Sequence, residues 1–273
     1  MTDYPRATWR LIRSEPADGA TNMAVDEAVL RAVARGEVPP TLRLYAWEPP
    51  SLSLGRGQPV DDVDRRAVRQ ADYGLVRRPT GGRAILHVDE LTYSVIVPQS
   101  DPRVTGSVVE SYRRLSAALV RALELLGVPD IVADQRVEQA SEEGPVCFEV
   151  PSDYEITVAG RKLVGSAQMR AEGVVLQHGA VPLHGDIARI CPLLAQHPDP
   201  DRVRARATTV ERALGRRVSW GEAAGALAQG FAETLNLELK PAQLTPEERA
   251  AARALRAEKY ATSDWTGLRS GST

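Results

Sequence analysis

Apolar and polar positions along the 273-residue chain fall into short alternating runs and longer helical ones. Residues 8–13, T-W-R-L-I-R, alternate as a strand does. Asn22 opens a helix whose apolar positions Met23, Val25, Val29, Ala32 and Val33 mostly follow a helical period, and Pro39-Pro40 ends it. L-R-L-Y-A-W and S-L-S-L-G read as two short strands, and residues 64–71 as a helix. Three strand-like runs follow: Y-G-L-V-R-R-P and R-A-I-L-H, joined across Gly81-Gly82, and then L-T-Y-S-V-I-V. Residues 107–126 form a long amphipathic helix closed by Gly127. In Y-E-I-T-V-A-G-R-K-L-V-G-S-A-Q, Ala159-Gly160 sits between alternating runs and predicts a hairpin turn. G-V-V-L-Q-H-G-A-V-P-L adds a strand or strand pair, and from Asp186 onward the chain reads as helices, including 221–235 and 246–259.

Strands and helices mixed without strict βαβ alternation predict an α+β fold, with mixed or antiparallel sheets flanked by helices. We read residues 1–273 as one domain, interrupted only by a polar surface loop at 135–145. Hydrophobic residues at 43% and charged residues at 26% fit a soluble globular protein. A formal charge of −2 argues against a dedicated nucleic-acid binder, which carries a strong basic excess. No apolar run approaches a membrane span, and M-T-D-Y-P-R-A-T-W-R lacks the hydrophobic region of a signal peptide. Two cysteines, Cys147 and Cys191, do not make a disulfide framework, so a cytoplasmic chain with free thiols is expected.

The densest candidate chemistry is R-R-P-T-G-G-R-A-I-L-H, residues 77–87. A glycine pair between strands permits close backbone approach to a ligand. The plainer reading is a hairpin turn with solvated arginines. Neither P-loop nor Rossmann spacing is present, so the glycines suggest a pocket without naming its ligand. Cys191, in A-R-I-C-P-L-L-A, reads as packing. Cys147 lies between Gly144-Pro145 and Pro151, near a loop where a thiol could react, yet its neighbours Glu149 and Asp153 would raise its pKa. Lys162 is the cation that could offset them, although a lysine beside a hairpin turn is usually solvated. A lone histidine such as His178, inside a strand, is more often a hydrogen-bonded core residue than a catalyst. The four histidines show no metal-ligand spacing, and no G-x-S-x-G elbow occurs.

Taken in order, N-M-A-V-D-E-A, S-L-S-L-G-R-G-Q, V-R-R-P-T-G-G-R-A-I-L-H-V-D-E-L-T-Y-S-V-I-V, G-R-K-L-V-G-S-A-Q, L-Q-H-G-A and A-E-K-Y-A-T-S-D-W resemble the lipoate–protein ligase and octanoyltransferase superfamily, which includes biotin–protein ligases. Within it, V-C-F-E-V-P-S-D-Y-E upstream of the lysine hairpin resembles the cysteine-dependent octanoyltransferases of the LipM type. The resemblance implies that Cys147 carries an acyl group and that Lys162 keeps its thiol ionised. It also implies that the loop from Arg78 through Gly81 and Gly82 to His87 walls a pocket for a medium-length acyl chain. Backbone amides near Gly165-Ser166 would stabilise the oxyanion. Either Lys162 or His178 would take the proton of the acceptor lysine.

The implied reaction moves octanoate from octanoyl-acyl carrier protein to a lysine of a lipoyl-domain protein, such as the glycine cleavage H protein. It requires no ATP, metal or other cofactor, and neither nucleic acid nor membrane is a partner. Three alternatives remain: an ATP-dependent lipoate–protein ligase, an amidotransferase between lipoyl domains, and a non-catalytic acyl-binding protein. Arg83 stands where the ligases usually have a third glycine, and the chain stops soon after K-Y-A-T-S-D-W, where they rely on an accessory domain or protein. Both differences favour the transferase.

Overall fold

The computed structural model describes residues 4–134 and 155–268. Eleven strands among these form two sheets: β1 (Ala7–Arg13), β2 (Thr41–Tyr45), β3 (Ser51–Leu54), β4 (Gly74–Arg77), β5 (Ile85–His87), β6 (Glu90–Pro98), β7 (Ile131–Asp134), β8 (Glu155–Val158), β9 (Arg161–Ala171), β10 (Val174–Pro182) and β11 (Leu237–Pro241). The large sheet runs β11-β1-β2-β6-β10-β9-β8-β7 and the small one β4-β3-β5. β1 is parallel to both β2 and β11, whereas β2, β6, β10, β9, β8 and β7 pair antiparallel in turn. The helices are α1 (Gly19–Ala34), α2 (Arg65–Gln70), α3 (Val108–Leu125), α4 (Pro200–Arg206), α5 (Val210–Leu214), α6 (Trp220–Leu235), α7 (Pro246–Leu255) and α8 (Ser263–Thr266). The fold is α+β, with mixed sheets flanked by helices.

Alternation along the central strands assigns the two faces of the large sheet. Leu91, Tyr93, Val95 and Val97 of β6 join the core beneath α3 and α6. Thr92, Ser94 and Ile96 take the other parity, and Ile96 packs in the cluster built on α1 and α7. Sandwiching between two helical layers explains why β6 is buried from Glu90 to Val97. α3 is amphipathic and starts with a capping box, Ser107 with Glu110. The small sheet has its own core against α2, α4 and a 3₁₀ turn at Ile187–Leu193, which includes Cys191.

Several elements differ from the sequence expectation. α1 begins at Gly19, capped by Asp18, whose side chain accepts from the Thr21 amide. Asn22 is instead inside the helix, and its amide donates to the carbonyls of Ala17 and Ala46. β4 and β5 are not a hairpin: both pair with β3, which lies between them, β4 parallel and β5 antiparallel. The 174–182 segment is one strand, β10. β11 was not anticipated, and α7 stops at Leu255, followed by a π-helical turn at Arg256–Tyr260. The Ala159-Gly160 hairpin is present, both residues taking positive φ, +48° and +74°, as a two-residue turn matched to strand twist requires. No helix among the described residues is long and apolar enough to cross a membrane. The polar stretch 135–145 lies outside the described residues.

Candidate active site

The small sheet places its β4–β5 connection over the α1-facing side of the large sheet. Between them lies a cavity of about 390 Å³, counting its mouth. Met23 of α1, Tyr45 at the end of β2, Trp47 and Ile85 give it apolar walls, and Gly165–Ala167 of β9 and His178–Ala180 of β10 form one side.

The loop over the cavity is held by arginines that do not reach solvent. Arg78 is 3% exposed. Its guanidinium donates to the carbonyls of Gly81 (2.8 Å), Arg83 (2.8 Å) and Ser53 (3.1 Å) and to the Ser53 hydroxyl (3.1 Å). The hairpin with solvated arginines is therefore excluded. Arg77 is fully buried and donates to six carbonyls: Gly55, Arg56 and Gln58 on one side, Trp265, Thr266 and Leu268 on the other. Burial pulls its pKa down. Gly82 has φ +90°, and a Cβ there would meet Arg78 Nη2 at 2.9 Å. A Cβ on Gly55 would lie 1.9 Å from the Gly82 carbonyl oxygen, so the loop rests directly on β3's end.

Two imidazoles line the cavity, each held between a carboxylate and a hydroxyl. His178 Nδ1 is 3.4 Å from Asp26 Oδ2, and its Nε2 is 2.6 Å from Thr80 Oγ1. A carboxylate only accepts, so Nδ1 carries the proton and Nε2 accepts from Thr80. Burial pulls the His178 pKa down against the pull of Asp26, which keeps the ring neutral near pH 7. Asp26 is fully buried, and burial alone would raise its pKa. The Arg43 guanidinium at 2.7 Å, together with hydrogen bonds from His178 and Arg43, outweighs burial and holds it low. Tyr45 (3.0 Å) and Ser94 (2.9 Å) also donate to Asp26. His87 Nδ1 lies 2.8 Å from Glu90 and Nε2 2.7 Å from the Ser53 hydroxyl. Ser166 of the cavity wall shares a hydrogen bond of 2.8 Å with Tyr93 of the α3- and α6-facing core; burial pushes the phenol up to about 12, leaving it neutral.

Of the residues singled out from sequence, Arg78, Gly82, His87, Gly165, Ser166 and His178 line this one cavity. Gly81 is exposed and contributes its carbonyl to Arg78. Lys162 is 5% exposed rather than solvated, and its Nζ lies 3.0 Å from Glu155 Oε1, itself buried. A β-bulge at this point, where Ile156 faces Val164 and Thr157 faces Lys162, inserts Leu163 as the extra residue. Cys191 is buried at 2%; Cys147, with Glu149 and Asp153, lies outside the described residues. Asp26, Thr80, Ser53 and Trp47 were not singled out, although all four stand inside motifs that the resemblance used or beside them. Among the described residues no group of three or more His, Cys, Asp or Glu side chains is placed to hold a metal ion.

Residues 18–232 match the model of the lipoyl protein ligase A/B catalytic domain. The chain is 48% identical to an octanoyltransferase LipM of Kyrpidia tusciae, over 94% of this chain and 98% of that one. It is 45% identical to an octanoyltransferase LipM of Symbiobacterium thermophilum, over 94% and 97%. Among solved structures, a lipoate-protein ligase A bound with ATP superposes with TM-score 0.81 at 27% identity, covering 96% of this chain and 100% of that one. A bipartite lipoate protein ligase of Thermoplasma acidophilum, described with its E2 lipoyl domain, gives TM-score 0.77 at 29% identity over 97% and 99%. The chain belongs to the lipoyl protein ligase A/B catalytic-domain family.

Proposed function

We propose that the protein is an octanoyl-[acyl carrier protein]:protein N-octanoyltransferase that works through a thioester on Cys147. The observation that carries this reading is near-full-length identity of 48% and 45% to proteins named octanoyltransferase LipM. The apolar cavity under the Arg78 loop supports it, because a medium-length acyl chain needs a carbon-lined slot with polar groups at one end.

Chemically the reaction divides into two displacements. The Cys147 thiolate attacks the carrier's thioester carbonyl; the new S–C bond replaces the old one, and the carrier thiolate leaves and takes up the thiol's proton. The amine of an acceptor lysine then attacks the Cys147 thioester, an N–C bond forms, the S–C bond breaks, and the amine's proton passes to the sulfur. The first step exchanges thioester for thioester, and the second makes an amide and is downhill, so no ATP enters. A cysteine thiol of pKa about 8.5 is only slightly ionised at neutral pH, and an acceptor lysine of about 10.4 must lose a proton before attack. Lys162, in the β8–β9 hairpin, is the cation that the resemblance assigns to the Cys147 thiol. With Glu155 it makes a neutral pair, so a nearby thiolate would feel an oriented dipole rather than a bare charge. His178, neutral and backed by Asp26, is suited to accept a proton at Nε2.

A lipoyl domain is the acceptor class, consistent with the Thermoplasma ligase described with such a domain; acyl carrier protein as donor and the glycine cleavage H protein as acceptor are the specific partners we assign. A thiol nucleophile needs a reducing compartment, which favours the cytoplasm. Incubation with octanoyl-acyl carrier protein alone tests this reading. One octanoyl group should appear on Cys147 by intact mass and be released by hydroxylamine. The reading fails if no adduct forms while the protein activates free octanoate with ATP.

A further inference from the structure

A column of polar side chains crosses the apolar face of the large sheet beneath α3 and α6. Leu91 and Val95 of β6 and Val175 and Val181 of β10 belong to the hydrophobic core there. Among them, Tyr93 of β6, Gly179 of β10 and Ser166 of β9 stand in one cross-strand row. A Cβ on Gly179 would lie 2.5 Å from Ser166 Oγ and 2.6 Å from Tyr93 Cε1. Glycine on the middle strand thus lets the phenol reach over it to the Ser166 hydroxyl, at 2.8 Å. Gln177 and Gln168 face each other in the neighbouring row. The Gln177 amide donates to Tyr93 Oη at 3.0 Å, and the Gln168 amide donates to Gln177 Oε1 and to Ser111 Oγ of α3, both at 3.0 Å. Arg170 ends the column, donating to Ser111 Oγ (3.2 Å) and to the carbonyls of Gly106 (2.7 Å) and Ser107 (3.1 Å). We propose that this column is a positioning device for the reaction: by drawing Ser166 toward Tyr93, it sets the height of the β9 wall of the acyl cavity. The proposal rests on the octanoyltransferase reading, in which main-chain amides near Gly165 and Ser166 stabilise the oxyanion of each displacement.

Side chains alternate along a strand, so Gly165 and Ala167, which line the cavity, take the face opposite the Ser166 hydroxyl. A bond that draws Ser166 toward one face therefore fixes how far its neighbours stand out from the other. Folding does not require hydroxyls and amides in these rows. A buried hydrogen bond adds little net stability, and apolar side chains of the same shape could fill the space as well. What the column adds is a fixed geometry, because each member loses a partner if the next one moves. Tyr93, Gly179 and the Ser166 side chain act through the main chain, so they are positioning residues.

The test measures kcat, donor KM and Tm for octanoyl transfer from the acyl carrier by the wild type, Tyr93→Phe, Ser166→Ala, Ser166→Thr and Tyr93→Phe/Ser166→Ala. Tyr93→Phe and Ser166→Ala should each lower kcat about tenfold while donor KM stays within about twofold, because a misplaced wall weakens the transition state more than the bound substrate. The double variant should be no slower than either single one, since both changes remove the same bond. Ser166→Thr keeps the hydroxyl and should keep most of the rate. A column that only supports the fold would lower Tm and leave kcat at its wild-type value, and that result would overturn the proposal. So would losses that multiply in the double variant, or a loss confined to KM. If Ser166→Ala does not fold, Tyr93→Phe, which removes a single oxygen, carries the comparison. Wild-type protein that transfers nothing from the carrier would count against the transferase reading alone. The column would then be judged by the same kcat comparison in ATP-dependent activation of free octanoate.

Discussion

Lys162 and Glu155 illustrate how far one contact can redirect a residue's role. Both side chains are 6% exposed, and their charged atoms are 3.0 Å apart. Removing Lys162 takes its ion-pair partner from a buried carboxylate, which is destabilising. Lys162→Ala should accordingly lower the urea midpoint as well as slow acylation, whereas Lys162→Met/Glu155→Gln should regain stability without regaining transfer. If the double variant transfers octanoyl normally, Lys162 has no part in the chemistry. Asp26 and His178 predict a pH dependence of stability. Both titrate lower when folded than their ordinary values of 3.8 and 6.5. At a given pH the unfolded chain therefore binds more protons, and stability falls as pH drops. The His178 contribution is present above about pH 6.5 and is lost below it, whereas Asp26 acts only below about pH 3.8. The urea midpoint should thus fall between pH 7.5 and 5.5, and by less in His178→Gln; equal falls would mean that His178 does not charge on unfolding. None of this could be read locally. An acidic residue in a helix and a lysine by a hairpin both default to solvent, and only the packed sheet turns Asp26 and Lys162 inward.

The glycine loop owes its form to its neighbours in space more than to its own sequence. A Cβ on Gly55 would be 1.9 Å from the Gly82 carbonyl oxygen, whereas one on Gly81 would meet nothing within 4 Å. Gly55→Ala should therefore displace the loop and reduce octanoyl transfer at least tenfold, while Gly81→Ala should be near wild type; comparing kcat/KM, with circular dichroism as a fold control, checks the contrast. Equal activity in both would mean that the loop's seat on β3 is irrelevant to catalysis. At this scale much was legible: alternation marked β1, strand-like apolar runs marked β6 and β10, and an amphipathic run closed by Gly127 marked α3. Register was not, since nothing in Y-G-L-V-R-R-P or R-A-I-L-H says that β3 lies between them. β11, L-E-L-K-P, is a short edge strand that pairs with β1 alone among the described residues, and such strands carry little pattern. The start of α1 was displaced because Asn22 offers the same capping chemistry as Asp18, and only the Thr21 amide bond tells them apart.

Across the whole molecule, the C-terminal segment is tied to the catalytic region by buried charge. Arg10 makes two hydrogen bonds to Glu248 of α7, at 2.6 and 3.0 Å. Lys259 lies 2.7 Å from Glu27 of α1. Arg77, next to the loop-holding Arg78, takes three carbonyls from residues 265–268, and Trp265 Nε1 returns a bond to the Arg77 carbonyl at 2.8 Å. Arg77→Ala should lower Tm and expose the segment after Tyr260 to limited proteolysis; an unaltered cleavage pattern would show that the latch is dispensable. The fold alone does not choose between ligase and transferase, because its solved neighbours include an ATP-bound ligase. The energy source does. Purified protein should transfer octanoyl from its acyl-carrier thioester to an apo lipoyl domain with ATP and magnesium withheld, and Cys147→Ala should abolish that transfer while Cys191→Ala leaves it intact. Strict dependence on ATP with free octanoate as donor, and no turnover of the carrier-bound acyl group, would contradict the account.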